Sequence, residues 1–120
     1  MHTIQSLVFP ELWQILARAD DLPWEAFRPG VEIHRLYPPE PNGAAAALLR
    51  YQPGASVPYH LHTGFEHILV LSGSQTDNNG THVAGTLVVN PPGTRHSVSS
   101  AEGCIVLAIW AKPVQIEELG

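Results

Sequence analysis

The sequence has a single cysteine, Cys104. No disulfide can form within the chain, and neither a thiolate metal cluster nor a Cys-x-x-Cys redox pair can be built. Cys104 sits in the apolar run Cys104-Ile105-Val106-Leu107-Ala108-Ile109-Trp110, where it reads as a small buried hydrophobe. Charge is also scarce: charged residues make up 14% of the 120 residues, against roughly 25% in an average domain. The six Lys and Arg residues are scattered and the net charge is −5. A chain without a clustered positive face is a poor binder of nucleic acid or of an anionic membrane surface. No run approaches the about 18 apolar residues that a spanning helix needs, and the N-terminus lacks a basic start followed by an apolar stretch. A cytoplasmic location is expected.

Hydrophobic residues at 44% are enough for one core, so residues 1–120 are expected to form a single domain. Gly and Pro together number 21, spread as punctuation that cuts the chain into short segments. That habit belongs to all-β sandwiches and barrels. One stretch looks helical: in Pro10–Ala19, Leu12, Ile15, Leu16 and Ala19 recur at offsets of three, four and seven. Residues 20–30 read as loop. Strands are expected at Val31–Tyr37, Ala44–Gln52, Phe65–Gly73, Thr86–Asn90 and Gly103–Ala111. Asp77-Asn78-Asn79-Gly80 is a tight-turn signal, because Asn-Gly supplies the positive-φ residues a hairpin requires.

The chemistry concentrates in two blocks. In GASVPYHLHTGFEHILVLSG, Gly54, His60, His62, Glu66 and Gly73 stand at fixed spacing. His60 and His62 share one face of a strand because side chains alternate. The Thr63-Gly64-Phe65 turn reverses or offsets the chain, so that Glu66 can face them. In GTLVVNPPGTRH, Gly85, Pro91, Gly93 and His96 recur, and a third imidazole can arrive from another strand. With each residue type at about 5% usage, the five positions of the first block match by chance on the order of once in a million starts. The expected ligand set is His60, His62, Glu66 and His96. Imidazole and carboxylate suit one divalent transition metal ion, zinc or iron first, with manganese, nickel or copper as alternatives. An open coordination position is the catalytic arrangement, with Glu66 as carboxylate ligand or displaceable base.

These blocks resemble the two signature motifs of the cupin superfamily. The phrases LLRYQPGASVPYHLHTGFEHILVLSGS and VAGTLVVNPPGTRHSVSS are similar to the cupin domain of ChrR-type anti-sigma factors and to stand-alone acetylacetone-cleaving enzymes, over residues 24 to 112. The resemblance implies an all-β double-stranded β-helix, the cupin jelly-roll barrel, with a short N-terminal helix possible. It further implies a metal-dependent enzyme of dioxygenase type acting on a small oxygen-rich molecule; the alternative is a ChrR-like metal-dependent sensor or regulatory binding module. ChrR-type proteins carry a zinc-binding helical segment that grips a sigma factor. The 30 residues ahead of the barrel hold no Cys, so that grip is not expected here.

Other residues carry weaker expectations. His67 must face away from Glu66, and His2, His34 and His82 read as surface residues. Trp24, Trp110 and Tyr51 read as core or interface aromatics, with a pocket wall as the alternative. Arg50 either holds a substrate carboxylate at the barrel mouth or faces solvent. Phe65, His67, Leu69 and Leu71 lie on the face opposite Glu66, Ile68 and Val70, and such an apolar outer face predicts a second packed layer or a homodimer. The expected partners are a small-molecule ligand and a second copy of the chain.

Overall fold

The computed structural model describes residues 4–117. Ten strands follow a 3-10 helix at Leu12–Asp21: β1 Glu25–Arg28, β2 Val31–Arg35, β3 Ala45–Tyr51, β4 Ala55–His62, β5 Glu66–Asp77, β6 Gly80–Val83, β7 Leu87–Asn90, β8 Arg95–Ser100, β9 Cys104–Trp110 and β10 Val114–Ile116. They pair antiparallel in the order β1-β2-β3-β9-β5-β8-β4-β10, with β7 and β6 added beside β5. The result is the curled, mostly β architecture expected from the punctuated sequence. No helix among the described residues is long and apolar enough to cross a membrane.

One strand makes the curl. Gly73 reads in the sequence as a terminator, yet β5 continues to Asp77. Between Val70 and Ser72 its register against β9 shifts by one residue, a bulge that bends the strand. Its first half pairs with β9 and β7, its second with β6 and β8. Gly73 takes φ +70, and a Cβ there would lie 2.0 Å from the Gly103 carbonyl oxygen. Only glycine meets both conditions.

The inner faces enclose Val31, Ile33, Leu49, Val70, Val98 and Val106. Outside, Leu48, Leu71 and Ile105 are covered by Leu12, Ile15, Leu16 and Ala19 of the helix together with Leu22 and Trp24. The helical periodicity thus marks the docking face. The segment lies two residues later than the expected Pro10–Ala19 and is kinked at Arg18, where φ is −120. It has no side-chain N-cap, and the Trp24 indole N–H satisfies the Ala19 carbonyl at 2.7 Å. Packing rather than capping holds it.

This cover accounts for half of the outer apolar face. Leu71 is buried beneath the helix, whereas Phe65, Leu87, Val89 and Ile109 remain exposed. Residues 20–30, expected as loop, contain β1. Short strands β6 and β10 also carry too little pattern to be read in advance. The Asp77–Gly80 turn joins β5 and β6 as expected.

Gly73→Ala is expected to lower unfolding free energy by at least about 2 kcal/mol, because positive φ and a backbone collision add. The urea midpoint checks this; an unchanged midpoint would show that the β5 bend relaxes freely.

Candidate metal centre

The inward aim of the two β4 histidines depends on an irregularity. Val57 pairs with Val98 and His60 with His96, so β4 spends three steps where β8 spends two. Pro58 and Tyr59 lie in this bulge and are exposed, while Val57, His60 and His62 are buried. Pro58 suits it, having no N–H to give to a ladder. His96 sits directly across from His60 on β8. The Thr63–Phe65 turn does not close a hairpin: β4 pairs with β8 and β10, and β5 begins beside β9 and β7. Glu66 therefore approaches from the facing sheet.

The structure brings all four expected residues together. One donor atom from each of His60, His62, Glu66 and His96 lies within 4.8 Å of every other, and all four residues are buried. The imidazole centroids are 4.6 to 5.0 Å apart. A first-row ion with bonds of about 2.0–2.2 Å draws its donors to within roughly 4.4 Å of each other. The cluster is a few tenths of an ångström more open than that, within the reach of small side-chain rotations.

The hydrogen bonds around the rings decide which nitrogen faces inward. His60 Nδ1 is 2.8 Å from the Pro58 carbonyl, which can only accept. His62 Nδ1 is 2.9 Å from Thr94 Oγ1 and 3.1 Å from the Thr94 carbonyl. Thr94 Oγ1 already donates to the Pro91 carbonyl, so it accepts from His62. His96 Nδ1 faces the buried Asp77 carboxylate, 3.5 Å from Oδ2. His60 and His62 thus place the proton outward on Nδ1 and a bare Nε2 inward, and the carboxylate facing His96 Nδ1 favours the same tautomer without closing a hydrogen bond. Glu66 is held likewise: Asn90 donates to Oε1 at 3.0 Å and the Trp110 indole to Oε2 at 2.7 Å.

Inside the cluster the lone pairs have no proton to share. His62 Nε2 is 3.1 Å from Glu66 Oε1, yet neither it nor His96 Nε2 makes a hydrogen bond. Buried acceptors facing one another are unfavourable without a cation or proton between them. Burial pushes the pKa values of His60 and His96 below their ordinary value, with neighbouring imidazoles adding to the effect. Burial raises that of Glu66, but the proton and positive charge that His62 carries when protonated, the Trp110 N–H and the charge of His60 outweigh it and leave the carboxyl below its ordinary range. Neutral imidazoles beside an ionised carboxylate form a donor set compatible with a divalent transition metal ion.

Several supporting residues carried no signal of this role in the sequence. Asp77 marked only a turn, and Asn90 ended a strand; in the fold they brace His96 and Glu66. His82, expected at the surface, is half-buried with Nε2 2.9 Å from Asp77 Oδ1. Trp110 and Tyr51 are cavity walls, not merely core. Of the two readings of Arg50, the structure supports the outward-facing one: Leu49 and Tyr51 turn inward and Arg50 outward, where it lies 4.6 Å over Trp24 and pairs with Asp20 and Glu32. It holds no substrate at the barrel mouth. His67 faces away from the cluster, stacked on Phe65. Cys104 is buried, its thiol pushed up by burial to about 11. His2 lies outside the described residues.

Residues 13–114 match the family model described as "ChrR Cupin-like domain". An RmlC-like cupin protein from Ralstonia eutropha JMP134 is 28% identical with a TM-score of 0.69, covering 79% of this chain and 66% of that one. The complex of Rhodobacter sphaeroides SigE with the anti-sigma ChrR matches at 26% identity and a TM-score of 0.67, covering 89% of this chain and 70% of that one. An acetylacetone dioxygenase from Acinetobacter johnsonii shares the fold at a TM-score of 0.78 and 16% identity, covering 99% of this chain and 82% of that one. The chain spans just under two thirds of the first Ralstonia protein, and 54% of a second Ralstonia protein with a cupin-like fold. No curated protein matches.

In the metal-free protein, His60, His62 and His96 are expected to show the Nδ1–H tautomer in imidazole nitrogen NMR at neutral pH. An Nε2–H signal from any of them would contradict the hydrogen-bond assignment. His60 and His96 titrate lower in the folded chain, so the unfolded chain binds more protons as pH falls below 6.5. Stability contributed by these groups is therefore full above that value and declines below it; chemical denaturation in chelator at pH 7.5 and 5.5 checks the sign.

Proposed function

We propose that this chain, which belongs to the ChrR cupin-like domain family, holds one divalent transition metal on His60, His62, Glu66 and His96 and acts as a metal-dependent enzyme of dioxygenase type on a small oxygen-rich organic molecule. The observation that carries the reading is the pair of bare, buried Nε2 atoms facing Glu66, beside a cavity walled by Tyr51, Ile68, Gln75, Val98 and Trp110. Zinc or iron is the first choice for this donor set. When bound, such an ion polarises a coordinated oxygen group, and iron in addition makes dioxygen chemistry accessible.

The chain's own residues do the rest. The outward Nδ1–H bonds of His60 and His62, with the Asp77 carboxylate facing His96, orient the three rings before anything binds, so little reorganisation is needed. Asn90 and Trp110 hold the two oxygens of Glu66 in place. A carboxylate kept ionised there serves as a ligand or, released, as the base that takes a proton from an enolisable substrate. The apolar walls exclude water. Burial, then the charges of Cys104 and Glu66, raise the pKa of the Tyr51 phenol, which stays a neutral hydrogen-bond donor. The cavity is only about 40 Å³, room for a reacting head of few atoms.

The second reading, a ChrR-like sensor that uses the same site without turnover, is favoured by the likeness to the SigE–ChrR complex. For quaternary structure we propose a homodimer through the exposed Phe65, Leu87, Val89 and Ile109, to be checked by light scattering.

Zinc at a hundredfold excess over its dissociation constant is expected to stabilise the protein by about 2.7 kcal/mol, raising Tm by roughly 10 °C. His96→Ala abolishes this shift, and Asp77→Asn weakens metal affinity about tenfold or more. Iron-loaded protein is expected to consume dioxygen with a member of a β-diketone and catechol panel. Tight metal binding with no uptake on any member would reject the enzyme and leave the sensor.

A further inference from the structure

The small cavity at the metal centre adjoins a second hollow that the proposed chemistry does not use. Phe27, Arg28, Trp110 and Val114 wall both. The outer hollow is about 450 Å³ and adds Arg35, Glu40 and an apolar rim that includes Pro113. An inner space of about 40 Å³ takes a head of few atoms, whereas the outer one has room for the remainder of a larger molecule.

Two arginines line the outer hollow for a structural reason. On β2, Val31 and Ile33 face the core, and by alternation Arg35 follows them on that face at its open end. On β1 the register shifts between Ala26 and Arg28, and this bulge lets consecutive residues Phe27 and Arg28 line the same hollow. The Arg28 guanidinium lies 5.2 Å from the Phe27 ring centroid.

The chain has only six Lys and Arg residues and is net acidic. Arg50 and Arg95 are engaged by carboxylates. Arg28 and Arg35 form no salt bridge among the described residues. Two unpaired guanidiniums and the one carboxylate of Glu40 leave the hollow with one net positive charge, over an apolar floor of Phe27, Trp110 and Pro113.

We propose that this hollow binds an amphipathic organic monoanion: its carboxylate on Arg28 and Arg35, its hydrocarbon body over Trp110 and Pro113, its other end directed at the inner cavity. A planar fork suits a carboxylate, and a single net charge suits a monoanion better than a phosphate dianion. The direction of the far end rests on the function proposed above; binding in the hollow does not.

Octanoate, 1-octanol and acetate serve as probes, followed by calorimetry and tryptophan fluorescence with the full chain, metal-free and zinc-loaded. Octanoate is expected to bind at least about tenfold more tightly than 1-octanol in both forms, and acetate more weakly than octanoate. The double variant Arg28→Gln/Arg35→Gln removes the preference for octanoate over octanol, while Arg18→Gln, an arginine outside the hollow, retains it. On the unaltered protein, added salt weakens octanoate and leaves octanol unchanged, so the result stands even if the double variant misfolds. Equal binding of octanoate and octanol, or no binding of either, overturns the proposal. 7-Oxooctanoate, whose ketone lies at the end remote from the carboxylate, extends the test: zinc tightens it over octanoate if that end meets the metal. Octanoate bound through the arginines without that gain keeps the hollow and rejects the function.

Discussion

Two imidazole nitrogens and a carboxylate oxygen, all buried, present lone pairs to one another with no proton left to place between them. Each unsatisfied buried group costs about 1–3 kcal/mol, and weak interior screening makes the repulsion longer-ranged than in water. The arrangement persists because every proton that could relieve it is committed elsewhere: to the Pro58 carbonyl, to Thr94 and toward Asp77. Asn90 and the Trp110 indole lend the carboxylate their protons from outside the cluster. The apolar layers around Val31, Val70 and Val106 and under the 3-10 helix supply the stability that offsets the cost of burying such a cluster.

The four clustered residues were legible because their information is local. His60 and His62 sit two apart on a strand, and Glu66 and His96 follow at spacings that few sequences share. What braces them was not legible. Asp77 is 19 residues from His96 and Asn90 is 24 from Glu66, and such meetings depend on which strands pair. The turn signal at Asp77 was correct and incomplete. The same side chain that accepts the Asn79 N–H at 2.8 Å also turns its second oxygen toward a histidine.

Arginine shows the limit most clearly. Arg50 stood beside a core-forming strand and invited a substrate role, but pleat alternation turns it outward, onto Trp24 and two acids. Arg28 lay in a stretch read as loop, and a bulge in β1 puts it in the mouth of the barrel. Regular alternation can be counted along a sequence; the bulges that break it cannot. Gly73 was misread for the same reason, since a residue that ends most strands here bends one so that it serves both sheets.

The extra residue between Val57 and His60 gives β4 something like a reading frame. Upstream of Pro58 the odd-numbered Val57 points inward; downstream the even-numbered His60 and His62 do. Deleting Pro58 or Tyr59 would leave two steps on β4 against two on β8, so Val57–Val98 and His60–His96 could both stay paired and inward-facing, and what would be lost is the bend that the bulge puts into the strand. Length changes in this short segment therefore act on the curvature of β4, and through it on the aim of His60 and His62, rather than on which residues pair.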